Sequence, residues 1–193
     1  TEATNVTDGK TTESADKYNE AKTAAEAVVK EAEGVIADVN STTEDVANAL
    51  KKVNAAKAVL DDAKSKLVEA ATADEKAKLK ADSEALKKAD TRGKTPNSID
   101  AYNTKFEALK TQLEAAKTEA EKVLAKENNA TKEEAKAAQA KVDAVKAELD
   151  KAVALLKDKG NTEGLEAAKN ELKTATEATN VTDGKTTESA DKY

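Results

Sequence analysis

The amino-acid sequence predicts an all-α protein in which two tandem three-helix bundles form an elongated rod. Three observations carry that expectation. Apolar residues recur at alternating spacings of three and four, the period of one helix face. Of the 193 residues 36% are charged and 2% aromatic, with one Pro and six Gly, a composition that builds long helices around a thin core. The stretch TEATNVTDGKTTESADKY begins at Thr1 and occurs again, unchanged, from Thr176. A match that long is not chance, so the chain reads as one unit of a tandem array followed by the opening of the next.

A second, degenerate repeat lies inside the unit. DGKTTESADKYN from Asp8 returns as RGKTPNSIDAYN from Arg92, with Gly, Lys, Thr, Ser, Asp, Tyr and Asn kept in register. STTEDVANALKKVNAAKAVLD from Ser41 matches ATKEEAKAAQAKVDAVKAELD from Ala130, and Leu79 and Leu86 match Leu165 and Leu172. These matches divide the chain into a first three-helix module at 1–90, a second at 91–178, and the start of the next repeat at 179–193. The last stretch is expected to be poorly ordered, because the helices it would pack against are missing.

The elements follow in order. In the first module Tyr18, Ala25, Val28, Ala32 and Ile36 form the stripe of a first helix. Val46, Ala49, Val53, Ala56, Leu60, Ala63 and Leu67 form that of a second. A short third helix over 73–89 is anchored by Leu79 and Leu86. In the second module the stripes are Tyr102, Phe106, Leu109, Leu113, Ala116, Ala120 and Val123, then Ala135, Ala138, Val142, Val145, Leu149, Ala152 and Leu156. Its third helix, over 163–176, is anchored by Leu165 and Leu172. Spacings near 3.5 favour left-handed packing at small crossing angles.

Punctuation falls where the stripes require it. Ser41 with Glu44, Thr72 with Glu75 and Thr131 with Glu134 have capping-box spacing. Thr95 before Pro96 fits an N-cap with Pro at the first helical position, and Gly160 is placed to end the second module's middle helix. Glu26 with Lys30, Asp62 with Lys66, Asp74 with Lys78 and Glu84 with Lys88 have the favourable i, i+4 sense. Tyr18, Tyr102 and Tyr193 are one position of the repeat, read as core anchors because large side chains are so few. Gly34, inside a helix, reads as a close-packing point or a soft spot. A helix of about 25 residues is ~40 Å long, so two stacked modules span ~80 Å. The junctions near 90–96 and 177–187 are expected to bend only a little.

The same residues argue against several chemistries. The formal charge of -6 with interspersed signs does not make a phosphate-binding face, so no nucleic-acid partner is expected. No apolar run is long enough for membrane insertion, and no signal peptide or lipidation motif is read. Cys and His are absent, which removes thiolate nucleophiles, imidazole bases and the usual zinc ligands. The GKT triplets at Gly9, Gly93 and Gly184 lack the earlier Gly of a P-loop, having Thr4, Lys88 and Thr179 there. With Gly9 as the sixth residue of a calcium loop, Thr4 and Val6 would be its first and third ligands, which fails. Adjacent carboxylates such as Glu133 and Glu134 read as a solvated face. Sequons stand at Asn5, Asn40, Asn129 and Asn180 and matter only where the source glycosylates them. The expectation is therefore a non-enzyme with no cofactor, no metal and no catalytic residue, and no binding residue is assigned.

The run GKTPNSIDAYNTKFEALKTQLEAAKTEAEKVLAKENNATKEEAKAAQAKVDAVKAELDKAVALL, with its shorter partner GKTTESADKYNEAKTAAEAVV, resembles the FIVAR domains of large Gram-positive cell-wall-anchored surface proteins. It shares a Tyr-Asn early in a long first helix, an Asn-Ala-Thr turn and a second helix of form AxxxVxxAxxxL, and it covers most of both modules. The two-module period departs from the family, so the match is to the domain type. The resemblance implies an extracellular, cell-wall-associated string of helical bundles like those of the extracellular matrix-binding proteins. The leading expectation is a stalk or spacer whose partners are neighbouring repeats of the same chain. The alternative is a multivalent adhesin module binding host matrix such as fibronectin.

Overall fold

The computed structural model describes residues 5–177 and 186–191. Those residues fold into seven α-helices: α1 (Thr12–Ala37), α2 (Thr43–Ser65), α3 (Ala73–Ala85), α4 (Pro96–Leu124), α5 (Lys132–Val153), α6 (Glu163–Glu177) and α7 (Thr187–Asp191). A 3-10 turn (Glu127–Asn129) lies between α4 and α5. Among the described residues extended pairing is confined to isolated bridges at Lys10/Glu69, Ala70/Thr131 and Lys94/Asp158. The expectation of poor order at 179–193 falls on 179–185 and 192–193, outside the described residues; the described part of that stretch holds α7.

Each half of the chain begins as a helical hairpin, α1 on α2 and α4 on α5. Sequence order assigns α3 to the first hairpin, within a module at 1–90, and here the structure differs: α3 packs on α4 and α5. The cause lies in the connection. After a turn at Lys66 that ends α2, the chain runs on through 67–71, with bridges at Glu69 and Ala70, and the Ala71 N–H donates to the Ala130 carbonyl at 2.8 Å. A connection of about five residues covers up to roughly 17 Å, which carries the start of α3 to the level of the α4–α5 turn. The helix then descends along that hairpin instead of doubling back.

The core therefore sits in α3, α4 and α5. Leu79, Leu86 and Tyr102 are at most 1% exposed, and Leu113, Ala116, Ala120, Ala138, Val142 and Leu149 close around the two leucines. Tyr102 meets the anchor role read for it. Its hydroxyl accepts the Ala89 N–H at 2.7 Å, and its ring lies 5.8 Å from that of Phe106. Tyr18, the same repeat position, is only half-buried, and Tyr193 lies outside the described residues. No apolar residue of α1 or α2 is fully buried.

Caps and breaks follow the sequence in part. Capping boxes form at Thr72/Glu75 and Thr131/Glu134. In the first hairpin the box is Thr42/Asp45, one residue past the Ser41/Glu44 pair with the same spacing. The Ser41 hydroxyl is taken up in donating to the Val35 carbonyl at 2.7 Å, at the end of α1. Thr95 precedes α4 with Pro96 in its first turn, but its side chain makes no capping bond. Gly160 does not end α5, which stops at Val153 with Ala154 as its cap. A Cβ at Gly34 would meet nothing within 4 Å, so this glycine is not a close-packing point. Asp62 pairs with Lys66 at 2.7 Å, whereas Lys78 turns from Asp74 to Asp82 at 2.6 Å.

Candidate functional site: the module junction and an open helical face

The repeated segment GKTxxS forms a clamp that neither half of the sequence announces by itself. Gly9 and Gly93 have φ of 69° and 72°, a left-handed turn open to glycine at little cost. The turn sends the next two residues along the connection that leaves the hairpin's second helix. The Thr11 N–H donates to the Val68 carbonyl at 2.8 Å, and the Ala70 N–H donates to the Gly9 carbonyl at 2.9 Å. The Val68 N–H donates to Ser14 Oγ at 3.1 Å. The second copy repeats the pattern. Thr95 N–H bonds the Lys157 carbonyl at 2.8 Å, Lys159 N–H the Gly93 carbonyl at 2.8 Å, and Lys157 N–H donates to Ser98 Oγ at 3.1 Å. Ser14 and Ser98 are buried for this reason, since a buried hydroxyl needs its partners. The GKT triplets at Gly9 and Gly93 are thus structural turns, and the third, at Gly184, lies outside the described residues.

The first clamp is also the module junction. The other edge of 69–71 pairs with the α4–α5 turn: Lys132 N–H donates to the Glu69 carbonyl at 3.0 Å, beside the Ala71 to Ala130 bond. The Asn129 side-chain carbonyl accepts the Glu13 N–H at 2.9 Å, satisfying an orphan donor in the first turn of α1. Lys132 meets Glu69 at 3.1 Å, and this contact holds the Glu69 carboxyl below its ordinary range and the Lys132 ammonium above its own. The sequence pointed to a Thr/Asn/Asp/Gly junction at 90–96; the segment that ties the two halves together is 66–71.

The third feature is an open face. Val46, Ala49, Val53, Ala56, Leu60 and Ala63 of α2 align with Ala135, Ala138, Val142, Val145, Leu149 and Ala152 of α5. The α5 set is buried beneath α3 and α4, while every member of the α2 set is half-buried or exposed. Val29 and Ile36 of α1 and Val46 and Leu50 of α2 are 49%, 83%, 53% and 61% exposed and line an apolar groove of about 390 Å³. Every residue of helix α6 is exposed, Leu165 and Leu172 included.

The cleft of about 460 Å³ beside the junction is lined by Glu13, Lys17, Asp62, Lys66, Lys126 and Glu134 among others. These charges pair with one another, Glu13 with Lys17 at 2.7 Å and Lys126 with Glu134, and the pairing holds both carboxyls below their ordinary values. Among the described residues no three acidic side chains cluster as a metal site would require, and no helix is long and apolar enough to cross a membrane. Comparison of the chain with protein-family models, with curated proteins and with solved structures finds no match.

Proposed function

We propose that the chain is a non-catalytic tandem repeat of a FIVAR-type, cell-wall-associated surface protein, and that it acts as an elongated stalk or spacer. In this reading two three-helix bundles per repeat stack end to end, and repeats follow one another along the same axis. The observation that carries it is the junction. Two backbone bonds and the Asn129 cap join the base of the first hairpin to the turn of the second, so length is transmitted through paired backbone instead of a free linker. Arrays of this kind gain length by duplication, because each unit needs only its neighbours.

Solution scattering tests the reading. A compact globule of this length has a radius of gyration of about 16 Å, whereas two stacked bundles of ~40 Å each give a clearly larger value and a maximum dimension near ~80 Å. A globular profile would sink the stalk. The adhesin alternative draws on the same repetition, because weak sites gain avidity with copy number. Binding to immobilised fibronectin that rises steeply from one repeat to three is its expected signature. Equal, negligible binding at both leaves the spacer.

A further inference from the structure

We propose that the open groove of α1–α2 is the seat of α6 from a second copy of this chain, docked head to tail, as the preceding repeat would be in an array. The proposal deepens the stalk reading and rests on it. The precedent is internal: α3 already occupies the corresponding groove of α4–α5. Leu165 and Leu172 stand seven residues apart, as Leu79 and Leu86 do. They are 72% and 66% exposed where their counterparts are 0% and 1%. Of α1 to α6, α6 separates apolar from polar residues most sharply. An amphipathic helix and an apolar groove at opposite ends of one chain are complementary halves of a single contact.

The side chains that differ between the two sites differ together. In the filled site Asp82 of α3 receives the Gln139 amide at 2.8 Å and Lys146 at 3.5 Å. Aligning the leucine pairs puts Ala168 in the place of Asp82, and the α2–α5 alignment puts Leu50 in the place of Gln139. A polar pair in one interface is an apolar pair in the other. If α6 were merely a solvated spacer, no reason would link Ala168 to Leu50.

Backbone groups extend the match. The Asp158 carbonyl and Gly160 N–H correspond to the Glu69 carbonyl and Ala71 N–H. The Thr43 N–H and Ser41 carbonyl correspond to those of Lys132 and Ala130, and Asn40 to Asn129. Among the described residues none of these four backbone groups bonds to another segment of backbone. Docking pairs Gly160 with Ser41 and Thr43 with Asp158, and places Asn40 at the first turn of α4. The third GKTxxS copy is consistent with an array: the Ser189 hydroxyl donates to the Thr186 carbonyl at 2.9 Å, as Ser14 does to Thr11 at 3.1 Å. The contact is heterologous and does not close on itself, so it propagates as an open filament.

Cysteine cross-linking of the full chain tests this, because the protein has no Cys of its own. Leu50→Cys and Ala168→Cys are made in separate chains, mixed at millimolar concentration and oxidised. Both positions are exposed, so neither substitution disturbs a packed core. The expected result is a disulfide heterodimer in about tenfold excess over a Leu50→Cys and Asn170→Cys mixture. Asn170 corresponds to the outward-facing Glu84 of α3. A doubly substituted Asp82→Cys, Gln139→Cys chain is the control that must close within itself. Equal yields from the two mixtures, or no cross-link while the control closes, overturn the docking. Elongated scattering without the cross-link would leave the stalk standing and remove only this interface; the cross-link with a globular profile would remove the stalk.

Discussion

Replacing Leu79 by Ala asks which hairpin owns α3. Leu79 is wholly buried among α4 and α5 residues. The substitution removes three carbons, about 2 kcal/mol of transfer at roughly 0.8 per carbon, and leaves a cavity that brings the total to about 3 kcal/mol. The matching Leu165→Ala, at a side chain 72% exposed, should change stability by less than about 0.5 kcal/mol in the single chain. The assay is amide hydrogen exchange read peptide by peptide, because the two halves need not open together. Where closing is fast, a loss of 3 kcal/mol raises exchange in α4 and α5 by about 150-fold. Exchange in α1 and α2 should stay within a few-fold of the parent. The reverse pattern, with α1–α2 loosened and α4–α5 unchanged, would refute the packing and restore α3 to the first hairpin.

Three further outcomes are expected. Tyr102→Phe strips the acceptor from the Ala89 N–H and should destabilise α3 to α5 by about 1–2 kcal/mol, while Tyr18→Phe should have little effect; urea unfolding of each variant checks both. Gly93→Ala meets no steric obstacle but forces a left-handed φ on a residue with a Cβ, for a loss of about 1–2 kcal/mol. Gly34→Ala, in open helix, should gain about 0.5–1 kcal/mol, so opposite shifts of melting temperature are the readout. Finally, the hydrogen bond from Lys78, then that from Gln139, holds the Asp82 carboxyl below its ordinary value against partial burial. A carboxyl with a depressed folded pKa contributes stability present above its unfolded value, near 3.9, and lost as pH falls through the folded one. Protection of α3 should therefore decline below about pH 4, and Asp82→Asn should flatten that decline.

The helices themselves are legible in the sequence, and so are most of their starts. The boxes at Thr72 and Thr131 form where the S/T-x-x-E spacing put them, because a capping box is complete within four residues. Ser41/Glu44 and Thr42/Asp45 show the limit of that logic. Both have the spacing, and the choice fell to Val35, a residue of the preceding helix whose carbonyl engages the Ser41 hydroxyl. Gly160 misled for a related reason: it follows a connection whose Lys159 N–H donates to the Gly93 carbonyl, and that pairing is visible only across the module. The repeated Ser14 and Ser98 were aligned in the sequence, but their role depends on amides of Val68 and Lys157, far along the chain.

Periodicity, capping and recurrence, all local or self-comparing patterns, determined an all-helical chain, its apolar stripes and the repeat. Tertiary structure alone decided that α3 serves the hairpin after it. The stripe of Leu79 and Leu86 suits either groove, because apolar burial has no direction along the chain. What separates the two is the path of 67–71 and its hydrogen bonds to Ala130 and Lys132, together with Asp82 meeting Gln139 and Lys146. Those partners lie far from one another in sequence and become neighbours only when the second hairpin is folded. The same geometry leaves one groove filled and the other open.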